Sequence, residues 1–272
     1  MIRTLTVLSF LFALLFTACG GETEGNEMDD PVEMEDDMEV SDAFTITPFP
    51  NSTEYPDAKL EGMNYNNGTF EFPISATDYE LGAQTPDADS KMCANSAKGQ
   101  HIHLIIDNEP YIAKYENTFD QEVADGEHHV LAFLSRSYHE SLKHDGASIA
   151  QKVNIENGSV TSAVNIEEPM LFYSRPKGTY VGAKETEKVM LDFYPVNVEL
   201  GADYKVKLEI NGEEQEMIDA WQPYFIEGLP MGDNRIKLTL VDGEGNSIDT
   251  PLNPVERVFT LKEDKGESIG MR

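Results

Sequence analysis

HIHLIIDN, residues 101–108, reads as one strand and its turn, and KVKLEING, residues 205–212, repeats it. Setting one copy on the other decides the fold. Two further blocks match in the same order. FEFPISATDYELGA (70–83) resembles MLDFYPVNVELGA (190–202), and YENTFDQEVADGEHHVLAFL (115–134) aligns without a gap on WQPYFIEGLPMGDNRIKLTL (221–240). Three blocks in one order indicate a tandem duplication. From residue 41 onward the chain alternates apolar and polar residues in short runs broken by turn residues, and no long segment has the 3.6-residue period of a helix. The expected fold is all-β: two tandem immunoglobulin-like β-sandwiches, each of about 95 residues. The first is placed at 44–145 and the second at 168–263. A connector at 146–167 forms a hairpin or strand, and 264–272 is a tail. The Cys…Trp…Cys spacing of true immunoglobulin domains is absent, and Trp221 reads as a plug of the second sandwich, with Gly228–Gly232 as the following turn.

The repeat also orients the side chains. Val206, Leu208 and Ile210 form the inward face of a half-buried strand, with Lys205 and Lys207 outward. In the same register Ile102, Leu104 and Ile106 point inward, and His101 and His103 point outward. The second block adds Val130, Ala132 and Leu134 inward and His129, Leu131 and Phe133 outward, where the second copy has Arg235, Lys237 and Thr239. One copy is therefore charged on its outer face, and the other carries histidine and apolar residues. Such a face is costly to leave in water. The candidates to cover it are the 135–167 segment, the second domain or a partner.

The chain has 272 residues and a net charge of −30, which excludes nucleic acid as a partner, because its phosphates would be repelled. Arg3 and the apolar run Leu5–Phe16 form a targeting segment too short to span a bilayer. The segment ends LLFTACGG and resembles a bacterial lipoprotein signal, with Thr17 and Ala18 before the cysteine and Phe16 where leucine is usual. The resemblance implies that residues 1–18 are removed and that Cys19 is lipidated, anchoring the chain in the membrane. Residues 19–43 read as an acidic, unstructured tether, because ten acids and no base fall between Glu22 and Glu39. Acids soon after the lipidated cysteine resemble the export signal of surface-exposed lipoproteins of the Bacteroidota, which implies an outer-membrane, surface location. Cys93 is then the remaining thiol, so no internal disulfide is expected.

All six histidines lie between His101 and His144. On a strand His101 and His103 share a face about 7 Å apart. His129 on a neighbouring strand and His139 at a strand end complete a candidate copper or zinc site, since neutral imidazole suits both metals. GQHIHLIIDN…DGEHHVLAFL…SYHESLKH is similar to a small histidine-rich bacterial envelope domain of unknown function, over about 45 residues; this chain has two histidines where that domain has three. LSRSYHESLK, FYSRPKGTY and PYFIEGLPMG resemble flavobacterial lipoproteins generically labelled phosphopeptide-binding proteins. That resemblance directs attention to Arg136, Lys143, Arg175 and Lys177 as an anion-binding set, arginine acting bidentately.

Other motifs fail on chemistry. Cys93 precedes His101 in an order that does not match blue-copper proteins. DGEGNSID (242–249) lacks the glycine and glutamate of a calcium loop and reads as a hairpin turn. Ser137, His139, Glu140 and Ser141 are neighbours in sequence, whereas a catalytic triad meets across a fold. No enzyme signature is present. The expected function is non-catalytic binding through the first domain and the interdomain region. The readings carried forward are metal handling by the histidines, recognition of an anion or phosphopeptide, and an accessory subunit with a protein partner in a surface complex.

Overall fold

The computed structural model describes residues 44–264. The signal, Cys19 and the acidic tether lie outside the described residues. The regular secondary structure of the described chain is almost entirely strand and forms two immunoglobulin-like sandwiches. In the first, a five-stranded antiparallel sheet runs in the order 159–165, 148–156, 126–135, 101–106, 112–114. Short strands at 59–60, 64–66, 69–71, 74–75 and 118–120 cover one side of it. Phe70, Phe72, Ile102, Leu104, Val130, Ala132 and Leu134 fill the space between. The second sandwich pairs a sheet of strands 45–48, 224–227, 189–196 and 170–175 with a sheet of strands 178–181, 255–262, 232–242, 204–210 and 213–214. Its core holds Leu191, Phe193, Val206, Leu208, Ile236, Leu238 and Phe259.

The duplication is visible in hydrogen-bond register. Leu104 lies opposite Ala132 and Leu208 opposite Leu238, the partners that the gap-free alignment requires. The turns agree as well. Asp107 N–H donates to the His129 carbonyl, and the Asp107 side chain accepts from His129 N–H. Asn211 does the same with Arg235.

Two segments depart from the expected boundaries. Thr45–Pro48, assigned to the first domain, pairs antiparallel with Tyr224–Glu227 of the second. Residues 148–165, assigned to a connector, are a hairpin that extends the first domain's sheet through Gly126–Ser135. Both are edge additions, which cover backbone groups that a bare edge would leave unpaired.

The second domain covers the outer face of the first. Ile105, Tyr111, Leu131 and Phe133 pack on Ile166, Met170, Phe172 and Tyr194. Phe133 and Tyr194 stack at 5.3 Å, and the Tyr194 hydroxyl donates to Ser148 Oγ. Trp221, expected to plug the second sandwich, touches both that core and this junction, donating from Nε1 to the Phe193 carbonyl. The His101–Ile106 strand is thus buried on both faces.

Asn108 fixes the docking. It sits at φ 58°, a left-handed conformation that asparagine tolerates and that Gly212 fills in the second copy. Its side-chain amide donates to the Leu171 carbonyl, and its side-chain oxygen accepts from Tyr173 N–H, both at 2.8 Å. Asn108→Gly would keep the turn and remove both bonds. It is expected to lower unfolding stability by about 1–3 kcal/mol in urea titration, whereas Gly212→Asn, which joins no domains, is expected to change little.

Candidate metal centre

Strand alternation sends His101 and His103 to the same outward face, and docking of the second domain buries both completely. His139 reaches them from the turn after the Gly126–Ser135 strand. That turn closes through Arg136 N–H to the Glu140 carbonyl and His139 N–H to the Arg136 carbonyl. His139 adopts φ 70°, so its ring folds back over the strand instead of leaving with the chain. A side chain held in this region costs on the order of 1 kcal/mol, and such strain collects at functional sites.

The three imidazoles converge. His101 Nε2 lies 2.8 Å from His103 Nε2 and 3.0 Å from His139 Nδ1, and one nitrogen from each ring falls within 4.8 Å of the others. Ligands of a tetrahedral zinc at bond lengths of about 2.05 Å stand about 3.3 Å apart, so small ring rotations would open this set to metal spacing.

The supports differ from ring to ring. His101 Nδ1 is 2.8 Å from the Gly99 carbonyl, which can only accept, so the proton sits on Nδ1 and the Nε2 lone pair points into the cluster. His103 Nδ1 meets Ser174 Oγ at 3.3 Å. Ser174 belongs to the second domain, at a bulge where Tyr173 pairs with Phe193 and Arg175 with Asp192, leaving Ser174 outside the ladder. The Tyr111 hydroxyl is 3.2 Å from His139 Nδ1, and the Tyr111 ring stacks on the His103 ring at 3.6 Å.

Electrostatics keep all three rings neutral. Burial pushes His101 down to about 4. Burial pushes His103 well below the usual histidine range, and the neighbouring imidazoles add to this. Burial and then the Arg175 charge do the same to His139. Neutral imidazole is the form that binds metal.

His129, expected to share this site, does not reach it. His101 pairs with Ser135, and His129 lies six residues along that strand, about 20 Å away. It faces Glu168 at 3.7 Å. Alternation gave it the right face, but antiparallel pairing put it at the wrong end.

The four candidate anion-binding bases separate into two pairs with different contacts. Arg136 donates to the Thr53 carbonyl and lies 3.5 Å from Glu140, and Lys143 is 2.6 Å from the fully buried Asp192. Lys177 donates to the Tyr111 carbonyl and sits 3.9 Å above its ring. Burial, with Arg175 adding to it, pushes Lys177 down to about 8. Arg175 is buried, and its Nε and Nη1 have no hydrogen-bond partner among the described residues. Cys93 is buried in an apolar pocket with Tyr138, Met190 and Phe225, where burial pushes its thiol up to about 11. It is not in the histidine set. Tyr111 and Ser174 had no signal in the sequence, since neither belongs to the histidine pattern and Ser174 comes from the other domain.

No family model matches the chain, and no curated protein matches it. Among solved structures it is similar to fibronectin(III)-like modules of Clostridium thermocellum CbhA, at 13% identity over 35% of this chain and 98% of that chain, with a TM-score of 0.28. It is also similar to the central fibronectin-III array of RIM-binding protein, at 9% identity over 80% of this chain and 73% of that one, TM-score 0.27. A third is the Bacteroides ovatus protein SGBP-B in complex with a mixed-linkage heptasaccharide, at 8% identity over 82% and 71%, TM-score 0.20. Likeness this distant says nothing about ligand.

Depressed histidines make the metal-free fold acid-sensitive. The unfolded chain takes up protons on these rings near 6.5, whereas folded His101 takes one up only near 4 and the other two lie well below 6.5. The unfolded state then binds more protons below pH 6.5, so stability falls as pH falls through this window and is fully present above it. Thermal melts with a chelator should show a Tm drop between about pH 6.5 and 5, above the ordinary carboxylate range. The drop should be smaller in His103→Gln, and an equal drop in both proteins would contradict the assignment.

Proposed function

We propose that the chain is a non-catalytic, lipid-anchored binding protein of the cell envelope whose ligand is a copper or zinc ion held by His101, His103 and His139. The observation that carries this reading is the convergence of three neutral imidazoles, two of them fully buried, with one ring already oriented by a backbone carbonyl. An all-nitrogen set of this kind suits zinc and copper and offers nothing to calcium or magnesium, which take oxygen ligands. The position supports binding more than catalysis, because the rings lie in a domain junction and the partly exposed His139 is the one nearest solvent. Anchoring at Cys19 and a surface location in the outer membrane are supported by the lipoprotein-like signal and the acidic segment after it. A protein partner in a surface complex fits the same location.

The test is metal analysis and titration calorimetry with Cu²⁺ and Zn²⁺ on protein purified without a histidine tag. One-to-one binding with a submicromolar Kd is expected. The double variant His101→Ala/His103→Ala should lose it, and His129→Ala should keep it. Binding no tighter than about 100 μM in the unaltered protein would reject the reading. His139→Asn tolerates the left-handed backbone but lacks the ring, so it is expected to fold normally and bind at least about tenfold more weakly.

A further inference from the structure

The surroundings of the histidines carry the wrong charge for a bare divalent ion. Lys177 Nζ sits 3.9 Å from the centroid of the Tyr111 ring that stacks on His103, and the buried Arg175 follows Ser174, whose Oγ meets His103 Nδ1. Arg175 is a buried cation over the Tyr180 ring, and its Nε and Nη1 have no hydrogen-bond partner among the described residues. A divalent ion among three neutral rings would add two more positive charges in a low-dielectric site. An anionic ligand would relieve both the ion and the guanidinium.

One side chain is placed to be that ligand. The Tyr111 oxygen lies 3.2 Å from His139 Nδ1, beside one nitrogen of the donor set. Its ring is fixed between the His103 ring, 3.6 Å away, and the Lys177 ammonium, 3.9 Å from its centroid. We infer that Tyr111 is the fourth protein ligand of the proposed metal site, coordinating through its phenolate oxygen. This rests on the metal-binding reading and names the residue that completes it. When the metal enters, an O–metal bond replaces the O–H bond and the proton leaves to solvent, as for other coordinated acids. The resulting His₃Tyr set carries one negative charge and would favour copper(II) over copper(I), because phenolate is a hard oxygen donor.

Cu²⁺ is the probe, because a phenolate bound to copper(II) gives a visible charge-transfer absorption and phenolate ring modes in resonance Raman. The unaltered protein should develop both, saturating at one equivalent. Tyr111→Phe keeps the ring and its stacking. It should lose the band and the ring modes, and bind copper about tenfold or more weakly while its circular dichroism and Tm are unchanged. Tyr115→Phe, whose ring lies 5.0 Å from His101, is the control and should retain the band. If Tyr111→Phe binds copper with the same spectrum and affinity, the inference is overturned and the three-histidine reading stands. A band absent from the unaltered protein despite tight binding also overturns it, and points to an exogenous anion beside Arg175. Absence of copper binding to the unaltered protein rejects both.

Discussion

Everything at the junction depends on burying one strand on both of its faces. His101–Ile106 presents Ile102 and Leu104 to its own sandwich and His101, His103 and Ile105 to the seam with the other. A strand in that position cannot carry the charges of its duplicate. Lys205 and Lys207 in the second copy remain in contact with solvent, and Lys207 pairs with an exposed glutamate. Placed at 101 and 103, two ammonium groups would have to be stripped of water beside Tyr115, Tyr111 and Phe133, at several kcal/mol each. Imidazole resolves the conflict because it can discard its charge at neutral pH, keep a hydrogen bond at each nitrogen and still stack as an aromatic ring. Divergence of the two copies is therefore concentrated where one of them became an interface.

The same seam holds cations that have no such escape. Asp192 neutralises Lys143, and Glu140 faces Arg136, so these two bases are parts of the scaffold. Arg175 differs. It follows a bulge that turns Ser174 toward His103, its own pairing across the sheet uses only backbone, and two of its nitrogens have no partner among the described residues. A guanidinium cannot neutralise itself by losing a proton, so Arg175 stays charged in the seam, over the Tyr180 ring. Its persistence beside three uncharged imidazoles and a phenol is the electrostatic reason to read the seam as a site and not as packing alone.

The sequence made legible whatever depends on period and repeat. Alternation fixed which face each residue of 101–106 and 130–134 occupies, and the second copy fixed the register, because a slip by one residue would reverse every side chain. What it left open is not local. His129 has the right face but the wrong position along the strand, and only the pairing of His101 with Ser135 shows that. His139 was a candidate by type alone. Its convergence depends on a left-handed residue within a tight turn, which no periodicity announces. Tyr111 and Ser174 arrive from a loop and from another domain. Thr45–Pro48 crosses to the second sandwich because an open edge was available there, a fact about the assembled sheet and not about the segment.

The surface acidity bears on this interior arrangement, though not through affinity. The chain carries fifty acids against twenty bases, and several of the bases, Arg136, Arg175 and Arg257 among them, are buried. The exterior is accordingly more negative than the net charge of −30 suggests. At physiological salt such a field decays over about 8 Å, too short a range for exposed carboxylates to compensate a buried guanidinium strongly. Its effect on an approaching cation is kinetic: negative potential raises the local concentration of metal ions and speeds encounter. On the proposed metal-binding reading, retention would be decided inside, where water is excluded and charges are less screened. The acidic exterior would gather cations of every kind, and the nitrogen donors at the seam would keep only those that prefer imidazole to oxygen.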